Sequence, residues 1–205
     1  GGPGYITTFE QEALLQPITG QDFHYDVVEL TVEFFAATPA ETVTFFGTFG
    51  SEEFPEFVNS SFNDGFGLFV NGQNYAGVLA DGGDPNAELP PVNVNHPDTQ
   101  DIPGTQLDGV IAPGGNPVLR FDVPINPGEL NTFKVILADA SDDSLDSTVY
   151  LSSFFAEPGG GGNNGGGPVA VNTGLNEFDP LLPDGAPDQD TGAFTITLPD
   201  DLVDG

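Results

Sequence analysis

From Asp26 the apolar residues fall on alternate positions: Val28, Leu30, Val32 and Phe34 share one face, while Glu29, Thr31 and Glu33 share the other. A period of two marks a half-buried strand, because successive side chains point to opposite faces of a sheet. The alternation returns over residues 41–49 after the turn Thr38-Pro39-Ala40, with Val43, Phe45, Gly47 and Phe49 on a common face. The two runs are expected to pair as antiparallel neighbours. Residues 64–70 and 75–80 flank Asn71-Gly72, a dipeptide whose easy positive φ suits a tight hairpin turn. Strand patterns resume at residues 118–123, 132–138 and 148–155.

Ahead of the strands, Thr7 and Glu10 have capping-box spacing and Pro17 follows the run Gln-Glu-Ala-Leu-Leu-Gln, so a short helix is predicted over residues 8–16. Residues 81–117 are rich in Asp, Gly, Pro and Asn, with Val92, Val94, Val110 and Ile111 as small apolar islands. Long ordered loops crossing a face or end of the domain are expected there, and function often sits on such loops. Residues 159–167 are glycine broken only by Asn163-Asn164, the composition of a flexible linker.

The pattern predicts an all-β, antiparallel, jelly-roll-like β-sandwich of eight or nine short strands over residues 26–157. A 1–25 extension carrying the helix precedes it. A glycine-rich linker (158–168) and a tail (169–205) follow. Within the tail, Phe194, Ile196 and Leu198 alternate with Thr195 and Thr197. Such a six-residue strand (193–198) has nothing to pair with unless it joins a sheet edge, either its own domain's or a neighbouring subunit's.

Charge changes this picture. The 205 residues hold 2 Lys+Arg against 32 Asp+Glu, for a formal net charge of -30. With no basic surface for phosphates, nucleic acids and anionic membrane surfaces are excluded as partners. No apolar run approaches the roughly 18 residues that span a bilayer, so membrane insertion is not expected. So much like charge opposes the compact state unless cations bind or screen it, through bound divalent ions, high salt, or both. Cysteine is absent, which removes disulfides and thiol chemistry alike. Low Lys with abundant Gly, Asn, Thr and Pro is a composition associated with exported prokaryotic proteins, and Gly1-Gly2-Pro3-Gly4 reads as a mature or trimmed terminus.

The acids gather in two places. One loop holds Glu52, Glu53 and, after a run of aromatics, Asp64; a second holds Asp139, Asp142, Asp143 and Asp146 within eight residues. Carboxylates so close repel unless neutralised, and bases are scarce. Hard oxygen donors of this kind are the ligands of Ca2+, which takes six to eight of them. If both loops lie at one end of the sandwich, they would share an ion, with Asn63, Asp64 or Asp108 completing the shell. Solvated acidic turns are the plain alternative, and the acids of residues 81–88 are read that way. Asn59-Ser60-Ser61 is a glycosylation sequon, a pattern also common by chance.

Residues 49–69, together with Leu107-Asp108-Gly109 and residues 136–151, resemble the choice-of-anchor L domain, a family of prokaryotic exported proteins with varied surface-anchoring signals. The resemblance covers residues 26–156. It implies a secreted or surface-attached β-sandwich without an assigned chemistry, and a recognisable anchor is missing from the C-terminal end, which leaves room for self-assembly. An enzyme is not expected, since the two histidines, His24 and His96, come with no Cys nucleophile, no nucleophile elbow and no phosphate loop. The leading expectation is therefore an extracellular structural subunit, Ca2+-stabilised, that forms a surface or biofilm-matrix filament with copies of itself through strand addition. The alternatives are a monomeric Ca2+-dependent adhesin binding glycans, or a surface protein adapted to monovalent salt alone.

Overall fold

A computed structural model describes residues 7–36, 40–102, 108–158 and 173–176. The described residues form two antiparallel sheets and one short helix, as the alternation predicts. One sheet contains β1 (His24–Phe35), β3 (Gly65–Val70), β4 (Gln73–Asn74), β5 (Val92–Asn93) and β9 (Leu130–Ala140). Its order is β1-β9-β3-β4, with β5 also on β3. The other contains β2 (Ala40–Ser51), β6 (Thr99–Gln100), β7 (Gly109–Ile111), β8 (Leu119–Pro124), β10 (Ser147–Pro158) and β11 (Thr173–Asn176). Its order is β11-β10-β2-β7-β6, with β8 also on β2.

The core lies between the sheets. Val43, Phe45 and Phe49 of β2, Phe66, Leu68 and Val70 of β3, and Val135 and Leu137 of β9 meet there with the inward residues of β8 and β10. Phe45 and Phe133 stack across the interface, ring centroids 4.8 Å apart. The first expected pair is not a pair: β1 runs along β9 and β2 runs between β8 and β10, in different sheets. Alternation fixes which face of a strand is buried, but not which strand lies beside it. The Asn71-Gly72 turn forms where predicted, with φ of 51° and 83°, although its second strand is only Gln73–Asn74.

All six residues of β3 are buried, which needs cover on both faces. The second cover is α1 (Phe9–Thr19), whose Leu15 and Ile18 pack on Phe69, Ile136 and Ala138. Gly65 and Gly67 make this approach possible, since a Cβ at either would lie 2.8 Å from Ile18. The capping box sits one residue later than predicted, on Thr8 and Gln11, and Pro17 lies inside the helix instead of ending it. The chain turns at Gly20, with φ of 74°. Two buried amides complete the helix end: Asn63 Nδ2 donates to the Thr19 carbonyl and Asn93 Nδ2 to that of Ile18, each at 2.7 Å. Residues 9–23 thus belong to the domain's packing.

The expected donor residues Phe194, Ile196 and Leu198 lie outside the described residues. What the structure describes beyond the glycine-rich stretch is β11, paired antiparallel with Thr148–Leu151 of β10.

Candidate functional site

The site is built where β3 begins and β9 ends. Gly65 pairs with Ala138, so the residues one step outward, Asp64 and Asp139, are cross-strand neighbours. By alternation from Phe66 and Leu137 both face the space between the sheets. On the opposing sheet Ser51 pairs with Ser147, and the same alternation from Phe49 and Val149 turns both hydroxyls inward. The four residues close one end of the sandwich, and all four are buried.

Asp64 is the hub. Its Oδ1 accepts from the Ala140 N–H at 3.0 Å. Its Oδ2 accepts from Ser147 Oγ at 2.8 Å and from Ser51 Oγ at 3.3 Å. The carboxylate therefore ties the two sheets together through neutral donors alone. Burial pushes its pKa up to about 6 against the pull of those donors, and the charge of Asp142 adds to the rise.

Glu53 lies beside it. Its N–H donates to Ser51 Oγ at 3.1 Å, which carries the chain from β2 into the acidic loop. The residue is 1% exposed, and its Oε2 is sealed from solvent with no hydrogen-bond partner among the described residues. Burial pushes its carboxyl up to about 8, with the charges of Asp64 and Asp142 adding. Asp142, half-buried in the β9–β10 turn, is raised by burial and then by Asp143. The turn is closed by positive φ at Ser141 and Leu145 and held to the other loop by the Glu52 N–H, which donates to the Asp146 carbonyl at 3.0 Å.

The two acidic loops predicted from the sequence thus do meet at one end of the sandwich, but not every predicted residue takes part. Glu52 and Asp108 are exposed. Glu52 follows the last strand residue and alternation turns it outward, opposite to Glu53. In Leu107-Asp108-Gly109 the structural work is done by Gly109, where a Cβ would lie 2.2 Å from Phe54 of the acidic loop. Asn63 caps α1 instead of facing an ion, its Oδ1 accepting from the Asn95 N–H at 3.0 Å. Asp143 and Asp146 are partly exposed members of the turn, and Asn59 is exposed with φ of 64°. Among the described residues no three Asp, Glu or His groups form a ready-made cage for a metal.

No basic side chain answers these acids, because every Lys, Arg and His is engaged elsewhere. Arg120 pairs with Asp122 at 2.9 Å and Lys134 with Glu29 at 2.5 Å. His24 Nδ1 stands 2.5 Å from Glu12 Oε2. His96 is buried, its Nδ1 accepting from the Asp98 N–H at 3.2 Å, so the hydrogen is on Nε2, 3.0 Å from the Val78 carbonyl. Asp81 and Asp84, in the long loops, accept from the Gly114 and Asn86 N–H groups at 2.8 and 2.9 Å. They work as turn residues.

Ser51 and Ser147 were missed by sequence reasoning. Their signal is the extension of the inward phase by one step past Phe49 and before Val149, where a serine replaces the expected apolar residue.

No protein-family model, curated protein or solved structure matches this chain. The resemblance to the choice-of-anchor L domain stands on its quoted motifs alone.

Proposed function

We propose that this chain is an extracellular structural protein, a β-sandwich subunit that joins copies of itself into a surface or biofilm-matrix filament by strand addition, without enzymatic activity. The observation that carries this reading is the strand taken up at the edge of β10. On one side β10 is paired with β2 along its length. On the other, β11 pairs only with residues 148–151, and residues 152–158 have no strand beside them on that side among the described residues.

An edge of this kind offers a row of unpaired N–H and C=O groups, and an added strand satisfies them with main-chain hydrogen bonds. The added strand comes from beyond the glycine-rich stretch. Residues 159–172 reach at most about 50 Å when extended, enough for β11 to serve its own β10 or that of a neighbour. The same contacts then hold one domain together or link two. Export is supported by the composition and by the family resemblance.

The test compares the full chain with one ending at Pro158, by negative-stain electron microscopy and sedimentation velocity. Filaments are expected from the full chain and monomers from the shortened one. Identical filaments from the shortened chain would remove the strand-addition role, and a full chain that stays monomeric up to high concentration would remove assembly altogether.

A further inference from the structure

The acidic end of the sandwich has more negative charge than its own groups can satisfy. Asp64 accepts from three neutral donors, while Glu53, at its side, keeps a sealed oxygen with no hydrogen-bond partner among the described residues. Burying a carboxylate without a partner is expensive, and a missing donor is unusual in a folded interior. All four Lys, Arg and His side chains are committed elsewhere. A proton quiets this charge at neutral pH and below, and the partner that would satisfy the ionised carboxylate, with no base from the described residues, is a cation from solution.

We infer that Glu53 and Asp142, anchored by Asp64 and joined by Asp139, form a Ca2+ site that fastens the loop after β2 to the β9–β10 turn. The donors are all hard oxygens with no imidazole or thiol among them, which selects Ca2+ or Mg2+ over zinc and copper. Carboxylates brought together from a loop and a turn, outside any rigid octahedral arrangement, suit the larger and less demanding shell of Ca2+. Like-charge repulsion holds these groups apart, and a divalent ion reverses the sign and draws the Asp142 turn inward onto Glu53. Because Ser147 opens β10, the ion also fixes the start of the strand whose edge carries β11. The site does not depend on whether that edge is filled from the same copy or another.

Calcium alone is the probe. The full chain, stripped with chelator and exchanged into buffer, is titrated with CaCl2 by calorimetry, beside Glu53→Gln, Asp142→Asn and, as a control on an exposed turn acid, Asp84→Asn. The expected result is saturable binding to the unmodified chain and to Asp84→Asn, weakened at least tenfold in both site variants. Circular dichroism checks that the isosteric amides keep the β fold. Absence of heat and of any melting shift beyond that of NaCl at equal ionic strength would overturn the site. So would equal Ca2+ affinity in Glu53→Gln and Asp142→Asn, which would place the ion elsewhere. Sedimentation of the same samples separates this result from assembly: binding without polymerisation keeps the site and rejects the filament, and polymerisation without binding does the reverse.

Discussion

Burial raises the Glu53 carboxyl to about 8 and the Asp64 carboxyl to about 6, so the folded chain holds protons that the unfolded chain releases at lower pH. For an acid shifted upward, stability falls as pH rises from its unfolded value to its folded value. The windows are 4.5 to about 8 for Glu53 and 3.8 to about 6 for Asp64. In chelating buffer, melting temperature is expected to fall between about pH 5 and pH 8, and Glu53→Gln should flatten the upper half of that slope. General charge repulsion acts on both proteins alike, so a Glu53→Gln slope equal to the parent's would contradict the burial of an unpartnered carboxyl. That these acids act together was legible in their clustering. Which ones do so depends on strand phase at the loop edge: Glu53 turns in, Glu52 turns out, and one residue's difference lies below what composition resolves.

At the level of elements, α1 and β3 explain each other. Residues 65–70 read as an ordinary strand next to a hairpin turn, yet the strand is buried on both faces because α1 lies across Gly65 and Gly67. Gly67→Val would put side-chain atoms where Ile18 Cδ1 and Phe69 already stand, 2.8 and 2.5 Å from the new Cβ. Overpacking of this kind costs about 1–3 kcal/mol, or roughly 2–4 °C in melting temperature per kcal/mol for a chain of this size. Hydrogen exchange is the discriminating measurement. Amides of Phe9–Thr19 should lose protection well before those of the inter-sheet core, and uniform loss would show that α1 is not a separately docked element. The helix was legible from cap-like spacing, one residue out of register, and its length was not. Pro17 argues for a stop, but the apolar contacts of Leu15 and Ile18 and the amides of Asn63 and Asn93 sustain one further turn.

For the whole molecule the governing quantity is the net charge of -30. Exposed charges are screened within about 10 Å at 0.1 M salt, so the melting temperature should climb as NaCl is raised from about 0.05 M to about 1 M. Differential scanning calorimetry across that range checks it, and a flat profile would mean that the acidic surface is spread too widely to oppose folding. Two Lys+Arg are too few to offset 32 acids, and among the described residues they pair with Asp122 and Glu29. The sequence by itself determined the all-β class, the faces of the strands, the N-terminal helix and the two acidic loops, because these follow from local periodicity and from charge that has no counterpart in the chain. Only the tertiary structure decided that β1 and β2 part into different sheets, and that Asp64 bonds serines from the facing sheet. Only it seated β11, from beyond the glycine stretch, on β10. Each of these is a pairing between segments far apart in the chain. Backbone hydrogen bonding is the same for every strand, so partner choice is settled by which whole arrangement buries the apolar faces and leaves the fewest polar groups without a partner.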